Sequence, residues 1–191
     1  MRWWLAVLGL LSGCLSCTSH LPAQPGRSLF LPKTPPWFEP MRPIGVRIDL
    51  AFSQEEREAV QWALDAWARA LSCVRFVDGW DLEIRRAADW HALPDVADNI
   101  SDTTVGLWDP DGRRVWLVPT SFAGQPLAQR TFAVHELGHM LGLHDFWDTR
   151  FGQDTCMTWT PRADCTGAGG VPELDVASVA QLHEACRKAQ P

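Results

Sequence analysis

The chain predicts one α+β domain with a small sheet and three main helices, and three observations carry that reading. Ile44-Gly45-Val46-Arg47-Ile48-Asp49-Leu50 alternates apolar and polar residues as a half-buried strand does. Ser53-Gln54-Glu55-Glu56 is a capping box, and Val60, Leu64, Trp67 and Leu71 follow it at helical spacing. Asp109-Pro110-Asp111-Gly112 is a strong turn signal between two short apolar runs, which therefore form a hairpin.

In chain order, Met1-Arg2 and an apolar run from Trp3 to Leu11 make a secretory signal too short to span a bilayer as an anchor. Leu11-Ser12-Gly13-Cys14 looks like a bacterial lipobox, which implies removal of residues 1–13 and acylation of Cys14. The alternative is an ordinary signal peptide cleaved near Ser16 or Ser19. Residues 14–43 then form a lipid-bearing tether, rich in proline from His20 to Pro43 and without hydrophobic periodicity. Residues 44–191 form the domain, long enough for one core.

Within it, the strand at 44–50 and the helix after Ser53 are followed by short strands at Val74–Val77 and Leu82–Arg86. The hairpin joins Val105–Trp108 to Arg114–Val118. A helix is expected from about Leu127 to Leu143, with Val134, Leu137 and Leu141 buried and His135 and His139 on another face. Gly138 lets a neighbouring element approach that helix closely. Thr166 to Gly170 reads as a flexible link, and Pro172 opens a last helix with Val176, Val179, Leu182 and Cys186 inward.

The chemistry lies in His135-Glu136-Leu137-Gly138-His139-Met140-Leu141-Gly142-Leu143-His144-Asp145. Histidines four apart stand one turn from each other on one helix face, so both imidazoles reach one metal ion. Glu136 adjoins the first and is placed as general base toward a water. Gly142 stands where a left-handed turn would end the helix, and Met157 follows a short loop.

On these residues the chain resembles the metzincin clan of zinc endopeptidases, whose pattern is H-E-x-x-H-x-x-G-x-x-[H or D] and then a methionine-containing turn. The resemblance covers roughly residues 44–188. It implies a twisted, mostly parallel sheet with an edge strand at the cleft, a zinc helix, and a methionine turn floored by Met157. It implies one catalytic Zn²⁺ on His135, His139 and a third ligand. Asp145 holds the clan's register for that ligand, as in the snapalysins; His144, one place earlier, is the alternative. Trp159 and Pro161 fall where matrixin-like enzymes build the specificity pocket, with residues unlike that family's usual ones. The edge strand would bind substrate backbone as an added strand, and the 105–118 hairpin is its candidate, a purely structural hairpin being the alternative. With no tyrosine in the chain, the transition-state tyrosine of some clan members is excluded.

The expected function is a zinc-dependent endopeptidase using a zinc-activated water with Glu136 as general base, exported and lipid-anchored at the bacterial cell envelope, or otherwise periplasmic or secreted. The alternatives are a non-catalytic zinc-binding envelope lipoprotein and a hydrolase of a non-peptide amide. Partners are a peptide or protein substrate and, through Cys14, a membrane; a monomer is expected. The net charge of -6 without a basic run argues against nucleic acid. Calcium on loop acids such as Asp148 and Asp154 is less favoured than solvated carboxylates. Export makes disulfides Cys156–Cys165 and Cys73–Cys186 candidates, with Cys17 left over. His91 lacks a partner at ligand spacing, and His183 reads as a surface or packing residue.

Overall fold

The computed structural model describes residues 39–93, 104–145, 155–158, 165–166 and 170–189. Cys14, Cys17, Asp148, Asp154, Trp159 and Pro161 lie outside the described residues.

A five-stranded, mostly parallel sheet carries the domain. Strand β1 (Ile44–Ile48) leads into helix α1 (Gln54–Ala70), which returns the chain to β2 (Phe76–Asp78). Next come β3 (Leu82–Arg86), β4 (Gly106–Asp109) and β5 (Arg114–Leu117). The order across the sheet is β2-β1-β3-β5-β4, with only β4 antiparallel. The hairpin thus ends the sheet, and β4 is an edge strand. β2 begins two residues later than the alternation suggested, because the amide of Val74 is spent on the carbonyl of Leu71 in the turn after α1.

Residues of period two divide the sheet into two faces. Ile44, Val46, Leu82, Ile84, Val115 and Leu117 point into the core. Arg47, Glu83, Arg85 and Arg114 are ion-paired among themselves and with Asp49 and Asp109. Against the core face lie α1 and α2 (Pro126–Met140). Helix α1 starts on the predicted capping box: the Glu56 amide donates to Ser53 Oγ, and the Ser53 amide donates to the Glu56 carboxylate. Its stripe of Val60, Leu64 and Trp67, with Leu71 just beyond, is buried. Trp67 Nε1 also donates to the carbonyl of Val134, 3.1 Å away, tying α1 to α2.

The expected last helix is two. Helix α3 (Glu173–Leu182) stops at His183, whose backbone is extended, and α4 (Glu184–Ala189) follows. The break places the His183 ring, 4 % exposed, beside the carbonyl of Leu141 at 3.3 Å. It also brings Cys186 to Cys73, with which it forms a disulfide. The second disulfide, Cys156–Cys165, is formed as well. Among the described residues no helix is long and apolar enough to cross a membrane.

Candidate metal centre

Helix α2 is buried on nearly every side, with its polar residues Thr131, His135 and Glu136 as inaccessible as its apolar ones. The expected division into a buried apolar stripe and a separate histidine face is therefore incomplete. At its C-terminal end the helix closes three residues before Leu143. Gly142 takes a positive φ of 100°, its amide donates to the His139 carbonyl, and the Leu143 amide donates to the Gly138 carbonyl, both at 2.9 Å. This is a Schellman turn, and glycine adopts the left-handed position at little cost. The turn reverses the chain and brings Asp145 back over the histidines.

His135, His139 and Asp145 offer ligand atoms that all lie within 4.8 Å of one another. His135 Nδ1 lies 2.8 Å from the carbonyl of Cys156, and His139 Nδ1 lies 2.8 Å from that of Leu143. A carbonyl only accepts, so both Nδ1 atoms carry the hydrogen and donate it. Each neutral ring then presents a bare Nε2. The two Nε2 atoms stand 3.1 Å apart, and Asp145 Oδ1 is 3.3 Å from one and 3.5 Å from the other. Asp145 Oδ1 is buried without a hydrogen bond of proper geometry. Three converging lone-pair donors, with Asp145 Oδ1 itself out of water, could share a cation. The two-imidazole, one-carboxylate set, with both rings braced on carbonyls, fits a divalent metal ion. His144 is exposed and is not part of the group.

Without a metal a proton serves in its place. Burial pulls the His139 imidazole down, but the Asp145 and Glu136 carboxylates and the Leu143 carbonyl outweigh it and hold it up at about 9. Burial raises Asp145, yet the two imidazoles hold it well below the usual carboxylate range. Glu136, 4 % exposed, is pushed above its ordinary value by burial, against the pull of His135 and His139.

Met157 is fully buried. Its thioether packs on Gly138, where an added Cβ would come 2.4 Å from Sδ. The close approach expected at Gly138 is thus made by Met157. The turn around Met157 hangs from residues that sequence reasoning missed. Asp175, on α3 and fully buried, accepts from Thr155 Oγ1 and from the Cys156 amide. The Met157 amide donates to Thr155 Oγ1 at 2.9 Å. Asp175 therefore fixes Cys156, whose carbonyl orients His135. A signal for it existed: Asp175 stands four residues before Val179 and eleven before Cys186, on the core stripe of the last helix.

The chain matches no protein-family model, and no curated protein is significantly similar to it.

Proposed function

We propose that the protein is a zinc-dependent endopeptidase of metzincin type, exported and held at the cell envelope through a lipid on Cys14. The observation that carries the reading is one cluster: His135, His139 and Asp145 converge on a point beside the buried carboxylate of Glu136. A structural metal would need the first three residues alone. Two disulfides suit export to an oxidising compartment.

Zn²⁺ held by His135, His139 and Asp145 would supply the Lewis acidity that activates a water and polarises the scissile carbonyl. The Cys156 and Leu143 carbonyls hold the two imidazoles in the Nδ1–H tautomer, leaving Nε2 to bind. Glu136 takes the proton from the attacking water and gives it to the leaving amine. Its burial favours proton uptake. Strand β4, at the sheet edge beside Glu136, offers its open side to an extended peptide, aligned by main-chain hydrogen bonds.

Cleavage of an unfolded protein substrate by zinc-loaded protein tests the reading, with Glu136→Ala beside it. We expect the variant to keep its metal and lose about 10²–10⁴-fold in turnover. Equal cleavage by both, or none by either with one metal per chain, would sink the proposal.

A further inference from the structure

Gly106 is the point at which the edge strand meets the metal helix. A Cβ built on Gly106 would lie 2.4 Å from Glu136 Oε1 and 2.6 Å from both Cδ and Cγ. Those separations are about an ångström inside ordinary contact, roughly 3.5–4.0 Å between carbons. Backbone freedom does not explain the glycine, because Gly106 is not among the residues with positive φ. What the position requires is space, and the occupant of that space is the Glu136 side chain.

The carboxylate is confined and not free in solvent. Glu136 is 4 % exposed, and its helix is fixed on both sides. Trp67 holds the carbonyl of Val134, and Met157 presses on Gly138. Nor can the strand retreat freely, since β4 is paired with β5 from Gly106↔Leu117 to Asp109↔Arg114. A side chain at 106 would therefore turn the carboxylate or part the strand from the helix.

Building on the peptidase reading, we infer that Gly106 is a positioning residue: its missing side chain makes the slot that aims the Glu136 carboxylate at the His135–His139–Asp145 group. The same slot sets the carboxylate against the strand edge along which an extended peptide would lie. Any side chain at 106 displaces the proton acceptor while leaving the three ligands in place.

A double-mutant cycle on stability tests the slot without reference to activity. Gly106→Ala, Glu136→Ala and the double variant are melted as metal-free proteins. With Glu136 present, Gly106→Ala should lower Tm by roughly 2–12 °C. With Glu136→Ala the space is open, and the shift should fall below about 1 °C. If Gly106→Ala alone does not fold, recovery of folding in the double variant is the same result. Equal shifts in both backgrounds overturn the slot.

Zinc-loaded Gly106→Ala then tests the aim. It should bind one zinc per chain with unchanged affinity, keep KM within about twofold, and lose about a hundredfold in kcat, as misplacement by about an ångström predicts. Unchanged kcat, or loss of zinc, overturns the positioning role. Cleavage absent from the unsubstituted protein as well removes the peptidase reading and this role with it, while the melting cycle still decides the packing of Glu136 on Gly106.

Discussion

Asp175 is buried and holds the segment whose carbonyl braces His135, so replacing it has consequences in two places and with a definite pH dependence. Asp175→Ala strands two buried donors, the Thr155 hydroxyl and the Cys156 amide. Orphaned donors cost about 1–3 kcal/mol each, roughly 2–6 kcal/mol together. Against that stands the burial of the carboxylate, which raises Asp175 to about 6 despite the Thr155 and Cys156 hydrogen bonds. A rise from 3.8 to about 6 corresponds to roughly 3 kcal/mol between the protonation states. The folded value lies above the unfolded one, opposite to the usual carboxylate. The contribution of Asp175 is therefore fully present below about pH 4 and declines as pH rises through about 6. The cost of Asp175→Ala should shrink by roughly 2 kcal/mol between pH 4.5 and pH 7.5. Urea unfolding of metal-free wild type and variant at the two pH values measures this, and the titration of shared groups cancels in the difference. The freed Cys156 carbonyl should also weaken metal binding by about 10–100-fold in a chelator competition. A cost independent of pH, or an unaltered metal affinity, would refute the chain of support from Asp175 to His135.

Further outcomes are expected. Metal uptake at pH 7 should release close to one proton per ion, because His139 is held protonated up to about 9 in the metal-free protein and a ligating imidazole is neutral; calorimetry in buffers of differing ionisation enthalpy counts it. The same raised value means that the His139–Asp145 contact stabilises the metal-free chain below about pH 6.5 and that this stability is lost as pH rises through about 9. Removing the Cys73–Cys186 bridge, whose ends are 113 residues apart, should cost roughly 5 kcal/mol, and removing Cys156–Cys165, 9 apart, roughly 3 kcal/mol; denaturant midpoints of the paired Cys→Ala variants rank them. Gly138→Ala should destabilise by about 1–3 kcal/mol despite better helix propensity, since its Cβ would meet Met157 Sδ at 2.4 Å; a gain in stability would contradict the packing.

Local patterns made much of the fold legible. The capping box at Ser53 starts α1, the alternation at Leu82–Arg86 is β3, and Asp109–Gly112 turns the hairpin. Gly142 announced the end of α2, although the helix stops at Met140 because the left-handed residue lies two positions past the last helical one. His135, His139 and Asp145 were legible because two are spaced by one helical turn and the third is set by that glycine. What escaped was non-local. Strand order depends on which faces meet, and the 105–118 hairpin could be offered as the edge only through the family resemblance, a candidate that the sheet order bears out. The kink at His183 answers to Leu141 and Cys73, 42 and 113 residues away from His183 and Cys186 respectively. Nothing local marks Gly106, because its partner Glu136 stands on another element.

The Cys73–Cys186 bond has a consequence for the molecule under attack. It closes a covalent ring around β2 through α3, which includes β4 and every residue of the candidate centre. A single backbone cut anywhere inside that ring leaves two pieces that remain one molecule. Such a nicked chain would run as one band before reduction and two after it, with His135, His139 and Asp145 still delivered to the same point.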